Sequence, residues 1–364
     1  MKTPLSLVAS AAALAACLGA APSARAEPAP IPARPAAVAP DGTARTRPVI
    51  AVFGDNVGSE AVDFLTPYGV LSSSGVAEVV AVSLDPGPVH LQPALTIEAQ
   101  ETVASFDARF PQGADFVIIP AISRRNDPAV IAWLQQQGAK GATLVSICDG
   151  AWTLAATGLL DGHRATAHWS SIKGLKKAYP QVDWVRDQRW VHDGRVQSTT
   201  GVSAALPASL ALVEQIGGHA AAERTARLYG VDDWAAAYDS RPFRLTSGAV
   251  STAVWNMVAV WGHETIGVRI APGVDEAVLA LTMDPLARTY RSRAVTIGAT
   301  TQPTPTAHGL TVIPDRASAD VSPRMTTVVP SATAPMDAAL AWIEAAYGPG
   351  TRRLVALELE APSR

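Results

Sequence analysis

The sequence predicts an α/β fold: a parallel sheet sandwiched between helices, followed by a smaller C-terminal α/β region. Three observations predict it. Short apolar runs alternate with stretches of helical spacing. One of those runs passes straight into a helix at a cysteine. The C-terminal region echoes the first half in order.

The apolar runs are V-I-A-V-F at Val49–Phe53, V-V-A-V-S-L at Val79–Leu84, F-V-I-I-P at Phe116–Pro120 and L-V-S-I at Leu144–Ile147. Continuous apolarity without polar alternation is what a strand buried on both faces requires. Between them, Ser59–Ser72 and Pro128–Gln137 have helical spacing, so the units read βαβ and the strands parallel. Ligands of such sheets bind at the carboxyl ends of the strands, where Phe53, Pro120 and Cys148 fall.

The stretch T-L-V-S-I-C-D-G-A-W, Thr143–Trp152, organises the rest. A buried strand reaches Cys148, turns at Asp149-Gly150 and continues as a helix-forming run, Ala151–Leu160. That is the geometry of a nucleophile elbow, with Gly150 leaving room for the bend. The N–H groups and positive end of the following helix would lower the thiol pKa.

Downstream, Asp161-Gly162 reads as a turn and Arg164–Trp169 as extended. Trp184–Thr200 reads as a hairpin around His192-Asp193-Gly194. Ser203–Ile216 is a helix with Pro207 in its first turn and Gly217-Gly218 at its end. Ala220–Tyr238 is Ala-rich and helical. Ala249–Trp261 is apolar but too short to span a bilayer, and reads as a core or interdomain helix. Then S-E-A-V-D-F-L-T (Ser59–Thr66) is echoed by D-E-A-V-L-A-L-T (Asp275–Thr282). Ala132-Trp133-Leu134 is echoed by Ala341-Trp342-Ile343, and Leu144–Ile147 by Leu354–Leu357. The near-constant offset suggests a degenerate internal repeat, with Glu358 where Cys148 falls and Leu279 where Asp63 falls. The expected organisation is therefore 1–26 export signal, 27–47 linker, 48–218 first domain, 219–262 connecting helices and 263–364 partial second domain.

Composition narrows the function. The 364 residues are 48% hydrophobic and 17% charged with a net charge of −3, enough for one large or two ordinary cores. No basic stripe suggests nucleic acid. Lys2, the apolar run Leu5–Leu18 and Ala24-Arg25-Ala26 read as a cleaved signal peptide. Leu14-Ala15-Ala16-Cys17 reads equally as a lipobox that would acylate Cys17 and tether the protein to a membrane. Both mean export, to a periplasmic location, either soluble or lipid-anchored. The chain has two cysteines, so a mature protein would carry Cys148 as a lone thiol in an oxidising compartment. No Walker or dinucleotide glycine pattern is present, and His163, His192, His219, His263 and His308 lack metal-ligand spacing, so no cofactor or metal is expected. Trp133, Trp152, Trp169 and Trp190 are expected in the core.

The segment I-C-D-G-A-W-T-L-A-A-T-G-L-L-D-G-H-R-A-T-A-H-W (Ile147–Trp169) resembles the elbow of the DJ-1/PfpI superfamily. The similarity is to the glutamine-amidotransferase-like domain of isonitrile hydratases and of the N-terminal part of AraC-type regulators. W-V-H-D-G-R-V-Q-S-T-T-G-V-S-A-A-L (Trp190–Leu206) extends it, and V-D-F-L-T-P (Val62–Pro67) resembles the family's acidic motif. The resemblance implies a flavodoxin-like sandwich with Cys148 as nucleophile and Asp63 as the acid beside it. It implies backbone amides at Asp149 and Ala121 as an oxyanion hole, and leaves His168 as a further candidate base. Where the family has Pro-Gly-Gly the chain has Pro120-Ala121-Ile122, and Asp149 stands where related branches carry His or Thr. The expected function is Cys-dependent hydrolysis, hydration or glyoxalase-like action on a small electrophile. The alternative is a non-catalytic small-molecule-binding or redox-sensing domain using the same pocket. A homodimer and an intrachain pseudo-dimer are both left open.

Overall fold

The computed structural model describes residues 46–362. The expected export segment, Cys17 and most of the expected linker lie outside the described residues.

A seven-stranded sheet carries the site. Its strands, in chain order, are β1 (Val49–Gly54), β2 (Glu78–Ser83), β3 (Glu101–Thr102), β4 (Phe116–Ile119), β5 (Thr143–Ser146), β6 (Trp190–Asp193) and β7 (Val196–Thr199). Across the sheet they run β6-β7-β5-β4-β1-β2-β3. All neighbours are parallel except the hairpin β6/β7. The strand order reverses between β1 and β4, so the crevice at their carboxyl ends is where such folds bind ligands. The expected strands fall where their apolar runs placed them, because a strand covered by helices on both sides must be apolar throughout. Helix α1 (Ala61–Ser74) follows β1, and helix α2 (Gly150–Ala156) follows β5. Phe53 and Trp133 stack at 5.4 Å between centroids, and the core of this half gathers around them.

A second α/β region is present. Strand β8 (Glu264–Arg269), helix α4 (Glu276–Ala287) and strand β9 (Ser292–Gly298) form a parallel βαβ unit, with α3 (Ser247–Val258) preceding it. Strands β10 (Arg316–Ala317) and β11 (Thr327–Val328) flank it in the order β10-β9-β8-β11. The unit has the same order and pairing as β1-α1-β2. In both, an acidic side chain caps the helix, Glu60 to Asp63 N–H and Asp275 to Val278 N–H. Helices α1 and α4 pack so closely that a Cβ on Gly69 would lie 2.9 Å from the Ala277 nitrogen. Short hairpins from the two halves join edge to edge through Thr311–Val312 and Ile97–Glu98.

Two expectations fail here. Leu354–Leu357, read as the echo of β5, is helical: it lies in α5 (Pro335–Glu358), whose two segments meet at the non-helical Gly348. Pro349 sets the first turn of the second segment, and the helix period of its buried Thr351, Leu354 and Val355 wins over the local strand-like run. Glu358 therefore ends a helix and occupies no elbow. For Ala249–Trp261, read as a core or interdomain helix, the core alternative fails. Of helix α3 only Asn256 is buried, and its outer face is apolar and exposed.

Candidate functional site

Cys148 sits between β5 and α2 with φ 53°, the left-handed region that a non-glycine residue enters at a cost of about 1–2 kcal/mol. The bend is held from three sides. Ile147 N–H donates to Ile119 O at 2.9 Å, and Cys148 N–H donates to Thr199 Oγ1 at 3.0 Å. Gly150 is the third constraint: a Cβ there would lie 2.1 Å from Ile119 O and 2.9 Å from Pro120 O. Only a residue without a side chain lets the end of β4 come this close.

Asp63 projects from the first turn of α1 and is fully buried. Its Oδ2 accepts from Ala121 N–H at 3.1 Å, while its Oδ1 is buried with no hydrogen-bond partner. Burial pushes its carboxyl up to about 7, against the lowering pull of the Ala121 amide. Asp149 also keeps a buried, unpartnered Oδ1. It does not cap α2, which is only seven residues long.

The thiol is buried, 6% exposed. Burial raises its pKa well above the ordinary value, and the charges of Asp63, Asp149, Glu60 and Glu360 push it the same way. This overturns the expected depressed thiol. A short helix supplies a fraction of a charge at its N-terminus, and several neighbouring carboxylates outweigh it.

Ala121 was expected to offer a free amide to a developing oxyanion. In the resting arrangement that N–H is held by Asp63, and the Ala121 carbonyl accepts from Glu60 N–H at 2.8 Å. His168 was the further candidate base. Its Nε2 lies 3.0 Å from Glu358 O, so it carries the hydrogen, and its Nδ1 lies 2.8 Å from Ser170 Oγ. Both ring nitrogens are engaged, and burial lowers the pKa. The histidine pins the C-terminal segment and has no nitrogen left for a substrate proton.

Several residues at the site were not anticipated. Glu60 caps α1 through the Asp63 N–H, and its other oxygen accepts from Arg288 Nη2 at 2.8 Å. Arg288, at the end of α4, also donates from Nε to both oxygens of buried Asp284 at 2.9 Å. Burial opposes its charge, but the Asp284 and Glu60 carboxylates beside it hold its pKa well above the ordinary value. So the second α/β region delivers a cation to Glu60, whose other oxygen accepts from the Asp63 N–H. Glu60 was visible in S-E-A-V-D, but Arg288 lies beyond the recognisable echo and nothing local marks it. From the C-terminal side, Glu360 accepts from Gly201 N–H at 2.7 Å and Trp169 N–H at 3.2 Å, and Tyr238 donates to it at 3.1 Å. Burial pushes Glu360 up to about 7. Ser203 N–H and Trp169 Nε1 bond the carbonyls of Leu359 and Leu357. Residues 357–361 thus lie across the loops that flank the elbow.

Away from this site, Asp275, Glu276 and His308 bring ligand atoms within 4.8 Å of one another. They are already satisfied: His308 Nδ1 pairs with Glu276 at 2.7 Å, Thr306 Oγ1 donates to Glu276, and Tyr229 donates to Asp275.

The chain is similar in sequence to known proteins over this half. Residues 49–215 match the model of the DJ-1/PfpI family. The HTH-type transcriptional regulator CdhR of Pseudomonas aeruginosa is 33% identical over 140 residues, covering 38% of this chain and 40% of the regulator. The isonitrile hydratase of Pseudomonas putida is 27% identical over 165 residues, 44% of this chain and 68% of the hydratase. Among solved structures, a THiJ/PfpI family protein from Pseudomonas syringae shares 23% identity, covering 58% of this chain and 86% of its own, with a TM-score of 0.48. The chain thus spans about two fifths of the regulator it matches.

Proposed function

Residues 49–215 belong to the DJ-1/PfpI family, and on that premise we propose that the chain acts on a small electrophile through Cys148. One observation carries this reading. A cysteine is held in a costly left-handed bend beside a buried carboxyl whose Oδ1 has no partner. In a core cysteine neither feature has a use.

The chemistry follows from the charges. The thiol is protonated at rest, so attack needs a base as well as a nucleophile. Asp63 is that base. As Sγ bonds to a carbonyl or nitrile carbon, the S–H proton passes to Asp63 and the electron pair of the multiple bond moves onto the substrate's heteroatom; at an isonitrile the charge is left on the attacked carbon, which later takes the proton. Protonated Asp63 holds the Ala121 amide less tightly, which frees that N–H, with the one at Asp149, for the developing charge. Asp63 then returns the proton to the substrate; for a nitrile or isonitrile, water adds to the resulting thioimidate carbon, the C–S bond breaks, the sulfur regains a proton and an amide or formamide leaves. The isonitrile hydratase of Pseudomonas putida makes an isonitrile carbon a rational first substrate.

A second reading, small-molecule binding or redox sensing without turnover, draws support from the same numbers. The thiol is raised and nearly buried, and the amide next to it is occupied.

Iodoacetamide labelling across pH separates the two, with Cys148→Ser as blank and Asp63→Asn as probe. Catalysis expects Asp63→Asn to label faster, because a repelling charge is gone, and to lose turnover of the isonitrile. Labelling unaffected by Asp63→Asn, with no turnover in any variant, leaves the binding reading. Export is proposed on Leu5–Leu18 and Ala24-Arg25-Ala26. Cell fractionation tests it, and loss of palmitate incorporation in Cys17→Ser would separate an anchored from a soluble form.

A further inference from the structure

We propose that helix α3 and the turn after it form a docking face for an anionic phospholipid bilayer, on which this region lies flat. Twelve large apolar side chains are exposed among the described residues, and eight of them fall within Leu245–Trp261. They form a stripe. Val250, Val254 and Val258 lie one turn apart, and Trp261 continues the line with Trp255 beside it. Trp255 is 60% exposed and Trp261 77%, and the two rings meet edge to face at 6.2 Å.

The amphipathic pattern is inverted. The buried residue of α3 is polar: Asn256 donates from Nδ2 to Thr289 O at 2.8 Å and to Thr351 Oγ1 at 3.1 Å. The buried contact of the helix is therefore made by an amide that donates twice, and the apolar stripe is left outward. Such a stripe needs an occupant that takes apolar surface out of water.

The charge distribution selects the occupant. No charged side chain occurs in Ser247–Gly262, so burying this face desolvates no ion. Cations stand at its tryptophan end. Arg291 donates from Nε to Gly262 O at 3.2 Å, and it lines a cleft of about 350 Å³ with His263, Tyr290 and Arg293. Neither Arg291 nor Arg293 has an ion-pair partner among the described residues. Glu264 lines the same cleft, but Thr326 and Tyr347 donate to its two oxygens. Tryptophans at the edge, aliphatics beyond them and unpaired arginines beside them match the order of a bilayer interface: headgroup level, acyl boundary and phosphate. Helix α3 has twelve residues, and no helix of the described residues is long and apolar enough to cross a membrane, so it would lie on the surface. A protein exported or acylated as Leu5–Leu18 and Cys17 lead us to expect would work beside such a surface.

Vesicle co-sedimentation of the full chain tests this, using phosphatidylcholine vesicles with and without phosphatidylglycerol. Binding to the anionic vesicles should fall about tenfold or more in W255S/W261S. R291Q/R293Q should erase the preference for phosphatidylglycerol. Brominated phospholipid should quench the wild-type fluorescence component that W255F/W261F lacks. Three results overturn the proposal. Wild type and W255S/W261S bind equally, so the N-terminal segment carries the binding. Wild type does not bind. Or wild type sediments as a dimer that W255S/W261S converts to monomer, so a second copy covers the face. None of these variants touches Cys148, so failure here leaves the proposed chemistry standing.

Discussion

Replacing Asp63 by Asn should stabilise the protein at neutral and alkaline pH while abolishing turnover. The carboxyl is fully buried, and burial lifts it from 3.8 to about 7. An acid raised in the folded state stays protonated there while the unfolded chain has already ionised. Stability is then highest below the unfolded value and falls as pH climbs from about 4 to about 7, after which the loss is complete. The gap corresponds to about 4 kcal/mol, an upper figure because Glu60 titrates in the same cluster. Asn is nearly isosteric and its Oδ1 can still accept from the Ala121 amide, so little contact is lost. The variant should gain about 2–4 kcal/mol over wild type at pH 8 and differ little at pH 4. Urea denaturation followed by tryptophan fluorescence at pH 4, 6 and 8 measures this. Parallel profiles for the two proteins would show that burial does not raise Asp63, leaving an ordinary carboxylate too weak to take the thiol proton, and the proposed role as base would go with it.

The remaining expectations concern the scaffold. Arg288→Met leaves Glu60 and Asp284 as buried acids without their cation; unfolding at pH 8 should be easier by about 3–5 kcal/mol, and the loss should shrink as pH falls, because burial raises both carboxyls and favours their neutral forms. Gly150→Ala drives a Cβ into the Ile119 carbonyl, which is backbone and cannot swing away; calorimetry should show a loss of about 3 kcal/mol or more, or no folded protein. Gly201→Ala places a Cβ 2.4 Å from that of Glu360, so the C-terminal segment should be displaced and iodoacetamide labelling of Cys148 should quicken.

The legible part of the site was local. Leu144–Ile147, Cys148 and Gly150 lie within a few residues, so the place of the turn is written in adjacent residues, although contacts from Ile119, Pro120 and Thr199 hold its strain. Asp63 was legible only through V-D-F-L-T-P, because a buried carboxyl on a helix looks like a solvated one until its surroundings are known. The echo Asp275–Thr282 pointed to a helix that does pack on its counterpart, whereas the echo Leu354–Leu357 pointed to a strand and met a helix. Four apolar residues fit either element, and their neighbours in space decide between them.

Hydrophobic periodicity and turn chemistry, both properties of adjacent residues, determined the parallel sheet, the order of its strands along the chain and the position of the turn at Cys148. The charge on the sulfur was decided elsewhere. Arg288 lies far along the chain from Glu60, Glu360 reaches the site from the other end, and the thiol answers to the sum of these fields and to its burial. Electrostatic energy depends on distance through space and on what excludes water. Two residues remote in sequence acquire a relation only when the packing of α1 on α4 brings them together.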